Sequence, residues 1–323
     1  MKPVVFLPHA IGPGGMRLLE AECTCLVYSA DGSKPPPAEL KALLAQADAV
    51  IVRLFSMGAN EFADAPRLKV IAKHGVGVDN IDVAAATARG IPVVITPLAN
   101  ANSVAEHTVA LMLALARNIY PAAAATLAGR FQDRDKFQGI ELAGRTLGLV
   151  GLGRIGGRVA QIARHGLAMK VRAYDPFVAK AGYSGAAEIE ESLEALLRSA
   201  DILSLHVPLT PETRHLINAE RLRMLRPTCR IINTSRGGVL DEAALAQALR
   251  DGRIAGAALD VFEQEPLPAD HPFLHTPNTL LTPHISSSTG ESLDRMARDA
   301  AQGVLDVLQG RRPAGVVNPE VFR

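Results

Sequence analysis

The chain has 323 residues, of which 48% are hydrophobic and 21% charged, and its formal net charge at pH 7 is +1. This composition is typical of a globular protein and argues against a largely disordered chain. The near-neutral charge argues against binding to nucleic acid or to an anionic membrane. The length predicts about two domains, and we expect the partners to be small molecules.

The cysteines and the N-terminus bear on the compartment. The three cysteines form no C-x-x-C pair, which argues against a disulfide framework and fits a reducing compartment. Cys23 and Cys25 could bind a metal together, but alternation on a short strand is the simpler interpretation. The N-terminal run MKPVVFLPHAIGPGG predicts a first strand rather than a signal peptide, because prolines interrupt it and no cleavage site follows. The most apolar helical stretch, Val104 to Ile119, is shorter than the roughly 20 residues of a membrane span, so we expect a cytoplasmic protein.

From Met1 to about Thr96, short β-branched runs alternate with helix-like segments, a rhythm typical of α/β folds. From Ser103 to Tyr120 the periodicity predicts one long helix, with Ser103 as its N-cap, and we expect it to connect two domains. The strands predicted before this helix are Val4 to Leu7, Ala49 to Val52, Val70 to Ala72 and Val93 to Ile95.

A second α/β series follows the long helix, and the tail from Glu291 to Leu308 is again helical. The strands predicted in this series are Thr146 to Val150, Lys170 to Tyr174, Ile202 to Leu205, Arg230 to Asn233, Ile254 to Leu259 and Thr279 to Leu281.

A glycine motif opens the second series. In TLGLVGLGRIGGRVAQIARHGLAMKVRAYDPF, an apolar strand runs into Gly151-x-Gly153-x-x-Gly156, a helix follows, and a second strand ends at Asp175. The first glycine permits a tight turn, the second lets a pyrophosphate approach the backbone, and the third lets the helix pack on the strand. The N-terminus of the helix then offers unpaired N–H groups to the phosphates. The segment predicts a dinucleotide-binding site.

Asp175 bears on which dinucleotide is bound. It lies 19 residues after Gly156, where a carboxylate accepts hydrogen bonds from an adenine-ribose diol and repels a 2′-phosphate. This favours NAD over NADP. Because Pro176 follows, the alternative is that Asp175 only initiates a turn.

The later strands each end in polar residues: Arg236 in RIINTSRGGVLDE, Asp260 and Glu265 in IAGAALDVFEQEPLP, and His284 in TLLTPHISSS. In open parallel sheets, ligands bind outside the carboxyl ends of the strands. We therefore expect these residues at the same sheet edge as the glycine loop.

Reduction of a 2-oxo acid needs residues of these types. Arginine supplies a planar, permanently charged clamp for a carboxylate and a ketone oxygen. Histidine supplies a proton near working pH, and a neighbouring carboxylate such as Glu265 would stabilise the imidazolium. Taken singly, Arg236 could cap a sheet edge, Glu265 could be a solvated loop acid, and His284 could fill a core hydrogen bond. Their occurrence together behind a glycine loop favours catalysis.

The chain resembles the D-isomer-specific 2-hydroxyacid dehydrogenase family over nearly its whole length. The segments that carry the resemblance are KHGVGVDNIDVAAATARGIPV, NSVAEHTVALMLALAR, GLVGLGRIG, HVPLT, NTSRGGVLDE, LDVFEQEP and TPHI. The resemblance implies an α/β fold of two doubly wound parallel-sheet domains. A Rossmann NAD-binding domain, residues 101–287, would be inserted in a split, flavodoxin-like substrate-binding domain, residues 1–100 and 288–323. It also implies a homodimer that forms through the 103–120 helix.

The same resemblance assigns roles to residues. His284 would be the general acid and base, Glu265 its partner and Arg236 the substrate clamp, with Arg53 and the Val76 and Gly77 amides binding substrate. No metal is implied, and the histidines other than His284 lack its combination of position and partners. The residues implied to contact NAD are Gly151, Gly153, Arg154, Ile155, Gly156, Asp175, His206, Pro208, Thr234, Asp260 and Ser103.

The substrate is less sharply indicated. Leu54 and Phe55 follow Arg53, where phosphoglycerate dehydrogenases tend to have small hydroxyl residues, and this predicts a bulkier, apolar wall. Arg134 and Lys136 nonetheless offer cations to a phosphate. We expect a hydroxypyruvate or glyoxylate reductase, with D-3-phosphoglycerate dehydrogenase as the alternative, and no C-terminal regulatory domain.

Two other functions remain alternatives. An NAD-sensing interaction protein would resemble the corepressors of this family, but no sequence feature favours it. A formate or phosphite oxidase is the second alternative, which we expect less because formate enzymes tend to carry a long N-terminal extension.

Overall fold

The computed structural model describes residues 1–29 and 35–322, except for the side chains of residues 179–181. The chain divides into two compact units. Unit 1 contains Met1–Asn100 and Ser288–Arg323, and unit 2 contains Ala101–Ser287.

Unit 1 is built on a five-stranded parallel sheet in the order β2-β1-β3-β4-β5, the flavodoxin-like order. Cys25 lies in the edge strand β2 and Cys23 directly precedes it. The strands are β1 (Val4–His9), β2 (Thr24–Ser29), β3 (Ala49–Val52), β4 (Val70–Lys73) and β5 (Val93–Val94), and the helices before residue 100 are α1 (Pro13–Glu22), α2 (Pro37–Gln46), α3 (Ala59–Asp64) and α4 (Val83–Ala88).

Unit 2 begins with two helices, α5 (Ala101–Ala116) and α6 (Ile119–Leu127), and a short 3₁₀ segment, Phe131–Phe137. Its strands are β6 (Thr146–Val150), β7 (Lys170–Tyr174), β8 (Glu188–Ile189), β9 (Ile202–Leu205), β10 (Arg230–Asn233), β11 (Gly256–Leu259) and β12 (Thr279–Leu281). The helices between them are α7 (Arg154–Gly166), α8 (Pro176–Ala181), α9 (Leu193–Ser199), α10 (Ala219–Met224) and α11 (Glu242–Arg250).

The unit 2 sheet has seven parallel strands in the order β12-β11-β10-β9-β6-β7-β8. Counted from β6 as the first strand, this is the Rossmann order 3-2-1-4-5-6 with one further strand. The predicted fold class, two doubly wound parallel sheets of Rossmann and flavodoxin-like type, is confirmed.

The C-terminal helix, α12 (Gly290–Leu308), belongs to unit 1 and packs closely on α1. The Gly14 N–H donates to Asp294 Oδ1 at 2.9 Å, and a Cβ added to Gly15 would lie 2.5 Å from the Ala297 carbonyl oxygen. Only glycine permits this approach of the two backbones. The chain therefore returns to unit 1 after unit 2 is complete.

Each sheet has an apolar core on both faces, as a doubly wound sheet requires. On β1, the side chains alternate: Val5 and Leu7 pack with Val304 of α12, while Phe6 packs with Leu44 on the other face. These side chains are fully buried.

The long helix predicted at 103–120 is wrong in its extent. α5 ends at Ala116, Asn118 takes a left-handed conformation with φ 51°, and α6 continues at 66° to α5. Ser103 lies inside α5, which begins at Ala101, so it is not an N-cap. Within the described residues, no single helix is long and apolar enough to cross a membrane, although α5 and α6 taken together pass that test by length and composition.

Candidate active site

The glycine loop follows β6 and has the shape of a phosphate-binding turn. Gly151 has φ 93°, and its N–H donates to the Tyr174 carbonyl at 2.9 Å. A Cβ on Gly151 would lie 2.6 Å from the His206 carbonyl oxygen, and one on Gly156 would lie 2.3 Å from the Gly151 carbonyl oxygen. Both positions therefore exclude any side chain.

The start of α7 is open where a pyrophosphate would approach. Gly153 is the N-cap of α7, Arg154 and Ile155 form its first turn, and a Cβ on Gly153 would meet none of the described atoms within 4 Å. The N–H groups of a first helical turn lack intrahelical partners and favour an anion. The residues present therefore fit a dinucleotide pyrophosphate.

Asp175 supports the glycine loop from the end of β7. Its Oδ1 accepts hydrogen bonds from the Phe177 and Val178 N–H groups at 3.0 and 3.2 Å, so it caps α8. Its Oδ2 accepts from the Leu152 N–H of the glycine loop at 2.9 Å. Asp175 thus has the turn-initiating role that the sequence offered as the alternative. Because Oδ2 accepts only this one hydrogen bond and has a second lone pair, the ribose contact stays a prediction.

His284 and Glu265 form a hydrogen-bonded pair. The distance from His284 Nδ1 to Glu265 Oε2 is 2.7 Å, and the two side chains are 43% and 36% exposed. An ionised carboxylate only accepts, so Nδ1 carries the proton and Nε2 is left for a ligand. His284 has φ 53°, a conformation uncommon for non-glycine residues that occurs often at functional sites.

The environment keeps Glu265 ionised. Its Oε1 accepts a hydrogen bond from the Phe262 N–H at 3.0 Å. Burial alone would raise the pKa of Glu265, but the His284 contact, the Phe262 N–H and the Arg236 charge outweigh burial and hold the pKa below its ordinary value. At neutral pH Glu265 is therefore an ionised carboxylate that holds the ring of His284.

Asp260 ties the end of β11 to the turn that carries His284. This fully buried carboxylate accepts hydrogen bonds from Thr282 Oγ1 and the Ile285 N–H through Oδ1, at 2.6 and 2.9 Å, and from the Ser286 N–H through Oδ2 at 2.9 Å. Burial alone would raise the pKa of Asp260, but these hydrogen bonds and one from His107 hold it below its ordinary value. Its predicted contact with the nicotinamide remains a prediction.

The turn that carries Arg236 is held by Asn233 at the end of β10. Asn233 is fully buried; its Nδ2 donates to the Arg236 carbonyl at 2.9 Å, and its Oδ1 accepts from the Ser235 N–H at 3.0 Å. A Cβ on Gly237 would lie 1.9 Å from the carbonyl carbon of Phe262. The Arg236 turn therefore packs directly on the backbone that leads to Glu265.

The other residues predicted to line the cofactor side also lie in unit 2. Burial lowers the pKa of His206 to about 4, so this histidine is neutral at pH 7, and its Nε2 lies 2.9 Å from Ser204 Oγ. The remaining contacts are from Thr213 Oγ1 to the Pro208 carbonyl at 2.6 Å, between Thr234 Oγ1 and Thr108 Oγ1 at 2.8 Å, and from Ser103 Oγ to the Ser286 carbonyl at 2.7 Å.

The predicted substrate residues lie in unit 1, in the loops after β3 and β4. Lys73 Nζ donates to the Arg53 carbonyl and to Asn80 Oδ1, each at 2.7 Å, and Asn80 Nδ2 donates to the Phe55 carbonyl at 2.5 Å. These donors hold the two loops together. In the part of the chain that the structure describes, no hydrogen bond from the Val76 or Gly77 N–H is found.

His74 precedes the Val76 and Gly77 amides and is neutral at pH 7. Burial and the Arg53 charge lower its pKa to about 4, and its Nε2 lies 3.2 Å from the Leu293 carbonyl oxygen. A carbonyl only accepts, so Nε2 carries the proton. His74 therefore fixes the loop to α12.

The predicted apolar wall after Arg53 needs a correction. Phe55 is 4% exposed and packs edge-to-face on Phe6, with ring centroids 6.5 Å apart, so it belongs to the core of unit 1. Leu54 is 71% exposed. Only Leu54 can present an apolar surface to a ligand.

Some of the other histidines of unit 2 also lie close to carboxylates. His107 Nε2 lies 3.3 Å from Thr282 Oγ1 and 3.6 Å from Asp260 Oδ1, and His271 Nε2 lies 3.0 Å from Glu242 Oε2. His107 and Thr282 are 175 positions apart in the chain. No local pattern reveals such pairs; the only sequence signal is a titratable residue on a helix or loop near a strand end.

Comparisons with known proteins agree with this geometry. Residues 109–286 match the family model of the D-isomer specific 2-hydroxyacid dehydrogenase, NAD binding domain. The chain is 42% identical over 337 residues to a glyoxylate reductase from Thermofilum pendens, which covers 100% of this chain and 96% of that protein. It is 45% identical over 282 residues to a D-3-phosphoglycerate dehydrogenase from Methanocaldococcus jannaschii, which covers 87% of this chain and 53% of that protein. The chain thus spans about half the length of the latter relative.

A solved structure gives the same result. The NADPH-dependent glyoxylate/hydroxypyruvate reductase from Sinorhizobium meliloti, in complex with NADP and malonate, is 29% identical with a TM-score of 0.87, covering 100% of this chain and 99% of that one. The predicted nicotinamide cofactor and the oxidoreductase class are confirmed. The match over the NAD-binding domain and the full-length relative show that this chain belongs to the D-isomer specific 2-hydroxyacid dehydrogenase family.

Proposed function

We propose that this chain interconverts a small 2-oxo acid and its D-2-hydroxy acid by hydride transfer with NAD, and that its substrate is of the hydroxypyruvate or glyoxylate type. The observation that carries the proposal is the 2.7 Å contact between His284 Nδ1 and Glu265 Oε2. The Arg236 charge acts on the same carboxylate. The pair follows β11 and β12 of the sheet whose β6 leads into the glycine loop.

Three side chains of unit 2 have separate roles in the proposed reaction. The bound nicotinamide supplies or accepts the hydride. In reduction, protonated His284 donates from Nε2 to the oxygen that becomes a hydroxyl, and Glu265 holds the imidazolium through Nδ1. Arg236 stabilises the charge that develops on the ketone oxygen. In oxidation the same proton returns to Nε2.

In unit 1, the substrate carboxylate binds the Val76 and Gly77 N–H groups and the Arg53 side chain. The support is local: Lys73 and Asn80 engage the carbonyl groups of these loops, and Val76 is 38% exposed. Backbone N–H groups that lack a protein partner favour an anionic ligand. This binding site for the substrate carboxylate can be tested separately from the catalytic pair.

NAD rather than NADP is the cofactor in this proposal. The carboxylate of Asp175 ends β7 beside the glycine loop, where its charge opposes a 2′-phosphate. The relative from S. meliloti is NADPH-dependent. The proposed preference for NAD therefore rests on Asp175 of this chain and not on that relative.

A phosphorylated substrate is the second candidate. The similarity to a D-3-phosphoglycerate dehydrogenase favours it, and Arg134 and Lys136 are 73% and 72% exposed. Acidic neighbours make these two cations less available to a phosphate, because Lys136 already pairs with Asp133 at 2.8 Å and Arg134 lies 3.8 Å from Asp135. Exposed Leu54 beside Arg53 also favours a small, uncharged substrate tail.

We infer further that the chain forms a homodimer in the cytoplasm. The apolar face of α5 is buried within unit 2, whereas α6 and the 3₁₀ segment after it expose four large apolar side chains, a feature typical of protein interfaces. The cysteines are all free, as a reducing compartment requires. The exposed side chains are Ile119 (53%), Tyr120 (64%), Leu127 (90%) and Phe131 (68%).

The test follows nicotinamide absorbance with NADH or NADPH and a panel of hydroxypyruvate, glyoxylate, phosphohydroxypyruvate and pyruvate. We expect turnover with NADH and the two small acids, and a gain for phosphohydroxypyruvate in Leu54→Ser. Preference for phosphohydroxypyruvate in the wild type would select the second candidate. Tight NADH binding without turnover of any acid would refute both and favour an NAD-sensing interaction protein.

A further inference from the structure

Glu242 is a buried carboxylate beside the segment that carries Glu265. It is the first residue of α11, directly after the N-cap Asp241, and its side chain is 9% exposed. Burial raises the pKa of Glu242, although the hydrogen bonds it accepts oppose this shift. A carboxylate in this position costs free energy unless its partners are well placed. Its partners therefore indicate what it does.

Both partners of Glu242 lie on the segment from Asp260 to His271, on either side of Glu265. Its Oε1 accepts a hydrogen bond from the Glu263 N–H at 2.8 Å, and its Oε2 lies 3.0 Å from His271 Nε2. Glu263 precedes Glu265 and His271 follows it. The Glu242 carboxylate thus holds the loop on both sides of Glu265, the residue that pairs with His284.

The orientation of His271 follows from its second nitrogen. His271 Nδ1 accepts a hydrogen bond from the Phe273 N–H at 3.3 Å and so caps the 3₁₀ segment Pro272–His275. Nδ1 is therefore unprotonated, and Nε2 must carry the proton that it donates to Glu242. This contact needs only the neutral imidazole.

Further contacts on the same loop show that its position is closely specified. The Phe262 N–H donates to Glu265 Oε1, and His215 Nε2 lies 2.9 Å from Glu263 Oε1. The turn that carries Arg236 packs on Phe262, and the same stretch of chain continues into Glu242 at the start of α11. Glu242 therefore connects the Arg236 turn with the Glu265 loop.

We propose that Glu242 is a positioning residue for catalysis: through the Glu263 N–H and His271, its carboxylate sets the distance between Glu265 and His284. This inference rests on the proposed function, since it concerns the same proton transfer. Glu242 itself touches neither substrate nor cofactor in this proposal. Its effect reaches the reaction only through Glu265.

The isosteric variant Glu242→Gln breaks the arrangement without removing volume. The carboxamide has one acceptor, but two donors face it, so its NH₂ group must oppose one of them. His271 cannot become an acceptor at Nε2 without a proton on Nδ1, which would then oppose the Phe273 N–H. One arm of the loop is therefore released in this variant.

His271→Asn is the complementary variant. Asparagine still caps a helical segment, but its side chain is too short to reach Glu242. The matched control is Glu194→Gln, because Glu194 is also in the first turn of a helix in unit 2 and pairs with Arg221 at 3.2 Å, outside this loop.

The experiment measures kcat and KM for the preferred 2-oxo acid from pH 5 to 9, together with NADH affinity and thermal unfolding. In Glu242→Gln and in His271→Asn we expect kcat to fall about ten- to hundred-fold, the scale of a small misplacement of a reacting group. KM and NADH affinity should change less than about two-fold, and the alkaline limb of kcat/KM should move to lower pH. The double variant should lose no more than either single variant, because both break one connection.

Each outcome decides the proposal. Non-additive losses in kcat with a shifted pH profile, and wild-type values for Glu194→Gln, support it. Wild-type kinetics in Glu242→Gln, or a loss explained by the unfolded fraction alone, would overturn it and leave the proposed function intact. No turnover in the wild type with any 2-oxo acid would refute the proposed function, and this inference with it.

Discussion

The amino-terminal edges of the two sheets are built alike, whereas their carboxyl-terminal edges differ. Asp48 precedes β3 in unit 1 and accepts the Val4 N–H of β1 at 2.9 Å; Asp201 precedes β9 in unit 2 and accepts the Thr146 N–H of β6 at 2.9 Å. Each aspartate also pairs with an arginine at 3.0 Å, Arg67 or Arg226. The same local solution ties neighbouring strands together in both units.

At the carboxyl ends the anchoring groups have opposite polarity. In unit 2, Asp175 and Asp260 accept backbone N–H groups from the loops that carry the glycine motif and His284. In unit 1, Lys73 and Asn80 instead donate to backbone carbonyls. Carboxylate side chains occupy the backbone N–H groups of a loop. Side-chain donors bind the carbonyl groups instead and leave the N–H groups for a ligand. The loops of unit 1 therefore keep backbone N–H groups for an anion. In unit 2 the carboxylates hold the loops in place, and the N–H groups left for an anion are those at the start of α7.

The largest effect should come from the catalytic histidine itself. We expect His284→Gln to lower kcat by about two to four orders of magnitude, the size of a general acid contribution, with little change in NADH affinity. Steady-state kinetics with the best 2-oxo acid measure this, and His165→Gln, an exposed histidine on α7, is the control. Unchanged turnover would remove His284 from the mechanism.

Breaking the carboxylate anchor of unit 2 should be nearly as damaging. In Asp260→Asn the new NH₂ group opposes one of the N–H groups that Asp260 accepts, so the His284 turn shifts. We expect kcat/KM to fall about 100-fold and the free energy of unfolding to fall by about 2 kcal/mol. Kinetics and urea denaturation measure these changes, with exposed Asp251→Asn as control. Full activity would show that Asp260 does not set the turn.

Breaking the donor anchor of unit 1 should affect binding rather than chemistry. Lys73→Met removes the donor to Arg53 and Asn80, and we expect KM for the 2-oxo acid to rise about tenfold with kcat changed much less. Lys41→Met removes an exposed ion pair with Asp64 in the same unit and serves as the control. A lower kcat at unchanged KM would contradict the division between the two edges.

The charge of Asp175 should control the choice of cofactor. Asp175→Asn retains an acceptor for the cap of α8 but removes the charge that opposes a 2′-phosphate. We expect the ratio of kcat/KM for NADH to that for NADPH to fall about tenfold, a difference of about 1.4 kcal/mol. If the ratio stays at its wild-type value, Asp175 acts only as a cap.

The smallest effects should come from the amino-terminal edges. Asp48→Asn should leave kcat unchanged and lower the free energy of unfolding by about 1–3 kcal/mol at neutral pH. Burial would raise the pKa of Asp48, but the Val4 N–H, Lys69 and Arg67 hold it below its ordinary value of 3.8. Its stabilisation is therefore present above about pH 4 and is lost as pH falls further. Denaturation from pH 3 to 7 should show the wild type approaching the variant in acid; a gap that widens in acid would contradict this.

Most strands of unit 2 were predictable to the residue. β6, β7, β9, β10 and β12 agree with the predicted bounds because each is a short run rich in apolar residues. β11 begins at Gly256 instead of the predicted Ile254. The edge strand β2 and the two-residue strand β8 were not assigned bounds, because their partly exposed residues carry no such pattern. The end of α5 was also missed, since the apolar periodicity continues through the bend at Asn118.

The sequence by itself determined the family, the glycine loop and the identity of the residues at the strand ends, because parallel strands bring their carboxyl ends to one edge whatever lies between them. Only the tertiary structure decided how those residues are held. Whether Phe55 faces a ligand or Phe6, whether Asp175 caps a helix, and whether Glu242 meets His271 depend on contacts between distant segments. Such contacts follow from the packing of the whole unit, and no local pattern of residues encodes them.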